Sequence, residues 1–141
     1  MIGAAMRDEG FILQAVLRLG RQMRHAAQDG ELSGGALPLL ATLYREGAMS
    51  AVDLARREGL QPQSLSRLLA RLDTAGLITR SVDRADARRH VIAITETGVS
   101  VFMQQLTRRR KWLAERMAER LKPDERSALL GAAELMLRIA Q

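Results

Sequence analysis

Two groups of side chains could do chemistry on a polyanion. The first is Gln61, Gln63, Ser64, Ser66, Arg67 and Arg71, set among leucines at positions Leu65, Leu68, Leu69 and Leu72. That i, i+3, i+4, i+7 spacing is one apolar face of a helix. Pro62 suits its first position, where a missing N–H costs nothing. At about 100° per residue, Gln63, Arg67, Ala70 and Thr74 fall on the opposite face, with Ser64, Ser66 and Arg71 on its flanks. Gln can pair with an adenine edge and Arg with guanine, while Ser and the long side chains can take phosphates. The second group is the loop Asp83-Arg84-Ala85-Asp86-Ala87-Arg88-Arg89, between two strand-like runs. Three arginines there suit a narrow minor groove, where negative potential is concentrated. Alone, the helix reads as well as an ordinary surface helix and the loop as a solvated charged hairpin. Their neighbours decide.

The chemistry that is missing narrows the classes. No cysteine is present, which removes thiolate metal sites, disulfides and thiol redox sensing. His25 and His90 are the only histidines, far apart, and there is no HExxH, no phosphate-cradling Gly loop and no Cys nucleophile. Asp83 and Asp86 could be paired carboxylates or metal ligands, but the arginines around them favour salt bridges. An enzyme is not expected, nor a cofactor or a metal. The 141 residues make one domain or two small ones, and the net charge of +6 is almost wholly Arg, with Lys111 and Lys122 the only lysines. That balance favours a polyanionic partner. Residues 1–6 carry no secretion signal and no apolar run approaches the ~18 residues a bilayer span needs. A cytoplasmic protein without a membrane partner is expected.

The elements that would position these groups follow in order. A first helix is predicted over residues 7–28, with Ile12, Ala15, Val16, Leu19, Met23 and Ala26 as its apolar stripe, widened by Leu13 and Leu17. Asp29-Gly30 ends it. A second runs from Leu32 to Glu46, with Ser33 a possible cap and a start loosened by Gly34, Gly35 and Pro38. Ser50 caps a third, in a capping-box pattern with Asp53, reaching Glu58 before Gly59. Three residues then lead to the leucine-clamped helix, a helix-turn-helix spacing. Gly76 closes that helix. Leu77–Val82 and His90–Ile94 read as strands around the Arg-rich loop. Thr95 caps a long helix to about Leu121, with Phe102, Leu106, Leu113 and Met117 as a seam and Trp112 beside it. Arg108-Arg109-Arg110-Lys111 covers a whole turn and reads as a solvated face. Pro123 opens a last helix, apolar nearly all round from Ala128 to Ala140. Such a helix must be buried, and the chain has little left to cover it. The first and last helices are therefore expected to pack on a second copy, through Ile12, Val16, Leu19, Leu129, Leu130, Ala133, Met136 and Leu137. The expected fold is mainly α with a small β-hairpin wing (α+β): a winged helix-turn-helix over 32–97, with dimerisation helices in 1–31 and 98–141.

At the wing the sequence becomes recognisable. Asp83-x-x-Asp86-x-Arg88 followed by Ile92-x-Ile94-Thr95-x-x-Gly98 resembles the wing and helix cap of MarR-type transcription regulators. Leu54-Ala55, Ser66-Arg67-Leu68-Leu69 with Leu72, and Gly76-Leu77-Ile78 also sit where that family has them. The resemblance implies a homodimer of triangular outline on palindromic double-stranded DNA. It places Gln63, Ser64, Ser66 and Arg67 in the major groove and Arg88, with Arg84 or Arg89, in the minor groove. Asp83 and Asp86 would shape the wing by pairing with arginines. It further implies a repressor released by a small molecule, often an aromatic acid or phenol, held by helices one, two and five. Arg84 departs from the family's usual Pro, Ala87 from a common Arg or Gly, and Gly34, Gly35 and Pro38 disturb a helix that usually starts firmly. The rival reading is a winged helix used only for protein interaction or assembly.

Overall fold

The computed structural model describes residues 2–28 and 30–141. Along the chain run α1 (Ile2–Ala27), a 3-10 turn (Gly30–Leu32), α2 (Ala36–Glu46), β1 (Met49–Ser50), α3 (Ala51–Glu58), α4 (Pro62–Thr74), β2 (Ile78–Val82), β3 (His90–Ile94), α5 (Glu96–Arg120) and α6 (Pro123–Ile139). Two compact units form: Ala27–Thr107, and Met1–Ala26 with Arg108–Gln141.

The first unit is a winged helix. Leu65, Leu68, Leu69 and Leu72 of α4 are all buried, against Leu39, Leu40 and Leu43 of α2, Leu54 of α3, and Ile78 and Ile92 of the sheet. Each buried leucine contributes about 1.5–3 kcal/mol, so α4 is held firmly on its inner face whatever its outer face meets. The three strands are antiparallel in the order β1-β3-β2. Strand β1 is absent from the sequence reading; two residues, Met49 opposite Ile92 and Ser50 opposite Val91, are too few to show alternation.

Helix ends follow the residues expected, with four corrections. Helix α1 begins at Ile2, five residues before the expected start at residue 7. Helix α1 stops at Ala27 because Gln28 itself turns left-handed (φ 51°); Asp29 lies outside the described residues. Helix α2 starts at Ala36, not Leu32, since Gly34 (φ 64°) and Gly35 (φ 88°) are both left-handed and Ser33 gives no cap. Pro38 then falls in the first turn, where its missing N–H has no partner to lose. Strand β2 begins at Ile78, one residue later than expected, because Leu77 closes α4: its N–H reaches Leu72 O at 2.9 Å while Gly76 N–H reaches Asp73 O at 3.0 Å. The same double closure ends α3 at Gly59. Ser50 caps α3 through the Asp53 N–H at 3.2 Å, and Thr95 Oγ1 caps α5 through the Gly98 N–H at 3.0 Å while donating to Gly76 O at 2.6 Å.

In the second unit, α6 has no buried residue, and Ile12, Val16 and Leu19 on α1 and Leu129, Leu130, Ala133, Met136 and Leu137 on α6 are exposed. The Lys122 N–H reaches Glu125 at 2.8 Å to start α6. Leu113, Met117 and Trp112 border a cleft of about 450 Å3 with Leu19, Leu121 and Leu129. The seam along α5 is thus divided: Phe102 belongs to the winged-helix core, its ring 5.5 Å from that of Tyr44, and Leu106 is exposed. Among the described residues no helix is long and apolar enough to cross a membrane.

Candidate nucleic-acid interface

The clamp on α4 decides what the helix shows. Gln61, Gln63, Ser64, Ser66 and Arg67 are exposed, and among the described residues their side chains make no hydrogen bond or ion pair with the chain. Gln61 occupies the cap position without capping. Five polar side chains without internal partners, on a helix fixed by four leucines, form a surface ready to exchange water for base edges and phosphates.

Arg71 stands differently from its sequence-predicted neighbours. Its guanidinium donates to the Ser33 carbonyl, just before the two left-handed glycines that precede α2. It therefore ties a glycine-rich connection to α4. Sequence periodicity could not show this, because the partner is a backbone oxygen on another element.

The wing is closed by main-chain bonds from Asp83 N–H to Arg89 O at 2.9 Å and from Arg89 N–H to Asp86 O at 3.0 Å. Asp83 and Asp86, expected to pair with arginines, bond to the wing's own backbone instead. Asp83 Oδ1 accepts from the Ala85 N–H at 2.8 Å and Asp86 Oδ1 from the Arg88 N–H at 3.0 Å. A carboxylate two residues before an N–H closes such a turn locally, without ordering a long arginine. Arg84 and Arg88 consequently stay exposed, with no ion pair among the described residues. Arg89 is placed otherwise: it lies 3.5 Å from Asp53 of α3, which is also 3.8 Å from Arg56. The carboxylate that pairs with a wing arginine thus comes from α3. Sequence reasoning missed it, as it missed the Arg80–Asp73 pair (3.1 Å) that joins β2 to the outer end of α4. Both pairs are half-exposed and contribute little to stability; their effect is to aim side chains.

Replacing Asp86 by Ala tests the wing. Losing one local hydrogen bond costs about 1 kcal/mol of wing order, so duplex affinity should drop about fivefold with almost no change in thermal midpoint. A midpoint loss as large as the binding loss would make Asp86 a stability residue instead.

The MarR family model matches residues 32–90, from the end of the 3-10 turn through the wing loop to the first residue of β3. An uncharacterized HTH-type transcriptional regulator of Mycobacterium bovis is 38% identical over 137 residues, covering 97% of this chain and 95% of that one. The HTH-type transcriptional repressor MdtR of Bacillus subtilis is 26% identical over 137 residues, 96% of this chain and 86% of its own. Among solved structures, a mutant of MarR from E. coli complexed with operator DNA superposes with a TM-score of 0.70 at 18% identity, covering 92% of each chain.

Proposed function

Since this chain belongs to the MarR family of HTH-type, DNA-binding transcriptional regulators, we propose that it acts as a homodimeric repressor on palindromic operators and that a small molecule releases it. The observation that carries this reading is the unpartnered set Gln63, Ser64, Ser66 and Arg67 on α4, beside a wing whose Arg84 and Arg88 are also unpaired. Residues 32–97 are assigned to DNA binding, and 1–31 with 98–141 to dimerisation. The exposed apolar faces of α1 and α6 support the dimer, because contiguous apolar surface left open to water marks an interaction face. To occupy adjacent major grooves, the two copies must hold α4 and its mate about one duplex turn apart, roughly 34 Å. A dimer seated so blocks the duplex to other proteins, and the similarity to a repressor agrees with that outcome.

Release follows from spacing. A ligand that binds better to a dimer with another separation shifts the population off DNA. An aromatic acid or phenol is the class assigned here.

Selection of bound sites from random duplexes tests the reading; a palindrome with half-sites one turn apart is the expected product. On that duplex, Arg88→Ala should cost about 1–3 kcal/mol of binding, and log affinity should fall linearly with log salt as phosphate contacts release counterions. Unchanged affinity would remove the wing from the mechanism. A winged helix serving only as an assembly module would show no salt-dependent duplex binding.

A further inference from the structure

The segment that joins α1 to α2 meets α4 along a ridge formed by Leu68 and Arg71. A Cβ at Gly35 would stand 3.9 Å from Leu68 Cδ2, and one at Gly34 would stand 3.7 Å from an Arg71 guanidinium nitrogen. Leu68 and Arg71 are three residues apart and so neighbours on one side of the helix. Leu68 is buried in the same core as Leu32, while Arg71 is exposed and donates to the Ser33 carbonyl.

The glycines create that acceptor. In a helix running from Leu32, the Ser33 carbonyl would accept from the N–H four residues on, at Leu37. With Gly34 and Gly35 both left-handed, the helix begins at Ala36 and the Ser33 carbonyl leaves the ladder. Arg71 fills the place of the missing donor. Arg67, one turn earlier on α4, has no partner among the described residues, so two arginines four residues apart stand differently. The bond also falls on one of the two covalent paths between the compact units. One path enters the winged helix at Ala27 and runs through Ser33; the other is α5, crossed at Thr107–Arg108. The end of α4 is tied to the start of α5 by Thr95 Oγ1 donating to Gly76 O at 2.6 Å. Arg71 supplies the matching tie to the first path.

We infer that Arg71 is a positioning residue, not a DNA contact: its bond to Ser33 fastens the recognition helix to the chain arriving from α1, and so fixes the spacing of the two recognition helices in a dimer. The inference rests on the proposed homodimer on a palindrome. A connection holding Gly30, Gly34 and Gly35 has backbone freedom that glycine does not restrict. Tied to α4, it follows the helix; untied, it leaves the winged helix located through α5 alone. The spacing between half-sites would then be held less tightly, although the surface that reads each half-site is unchanged.

Equilibrium binding to three duplexes tests this: the selected operator, the same operator with one base pair inserted between half-sites, and a single half-site. The insertion moves one half-site by about 3.4 Å and turns it by about 35°. The wild type should lose more than about tenfold on it. Arg71→Ala should bind the selected operator about three- to tenfold more weakly. It should lose less than about threefold further on the inserted duplex and match the wild type on the single half-site. Its salt slope and thermal midpoint should stay at the wild-type values. A slope smaller by about 0.9, with the loss shared by the single half-site, would make Arg71 a phosphate contact and overturn the inference. A lowered midpoint with spacing discrimination intact would make it a stability residue and overturn it equally. If Arg71→Ala keeps both the affinity and the discrimination of the wild type, the inference falls while the operator reading stands. A wild type that binds no palindrome overturns both.

Discussion

Replacing Leu130 and Leu137 together by glutamate should make the chain monomeric and weaken operator binding by more than about a hundredfold. The two residues lie seven apart on α6, two turns along one face, and are 56% and 68% exposed. With Leu129, Ala133 and Met136 they give α6 an apolar surface that stays exposed among the described residues. Burying a glutamate there without a partner costs several kcal/mol per subunit, more than such an interface tolerates. Because the two side chains make few contacts within their own chain, the monomer should keep its fold. The loss in affinity comes from valency: one recognition helix on one half-site forfeits the effective concentration that the second provides. Sedimentation velocity and circular dichroism would report a folded monomer, and duplex titration the affinity. A double variant that stays dimeric, or a monomer that binds as tightly as the wild type, would end the proposed arrangement.

Gly98→Ala should have the largest effect on stability, about 3 kcal/mol or more, with a fall in thermal midpoint of about 10 °C. A Cβ at position 98 would stand 2.1 Å from the Leu77 carbonyl oxygen and 2.8 Å from Ile94 Cγ1. Neither neighbour can withdraw. The Leu77 oxygen already accepts from Thr95 N–H at 3.0 Å, and Ile94 is paired with Ile78 across the sheet. The first turn of α5 would have to lift from the end of α4, breaking the Thr95 cap on the way. Calorimetry or thermal circular dichroism measures the change. A midpoint within about 2 °C of the wild type would mean that α5 packs less closely on Leu77 than described.

Much of the fold is legible in the sequence because it is local. The leucine spacing of α4, the Ser50 and Thr95 caps, and the glycines after α3 and α4 each act within a few residues, and each appears in the structure as expected. Features set by distant partners are not legible. Arg71 reaches Ser33, 38 residues away, and Arg89 reaches Asp53 on α3; periodicity carries no information about either pairing. The wing aspartates show a third case. Their neighbours suggested ion pairs, yet a nearby backbone N–H is an easier partner than a flexible guanidinium, so a local bond displaced the expected salt bridge. Strand β1 was too short to read, and the start of α2 was set by two left-handed glycines whose combined effect moved it to Ala36.

The candidate DNA face draws its positive charge from arginine alone, since Lys111 lies on α5 and Lys122 caps α6. Acetyltransferases act on ammonium groups, not guanidinium, so they find nothing to neutralise on α4 or the wing. Guanidinium groups also keep their proton at every pH a cell reaches. The chain therefore holds a constant electrostatic grip, and cellular control of it must come through the protein's shape or the surrounding ions.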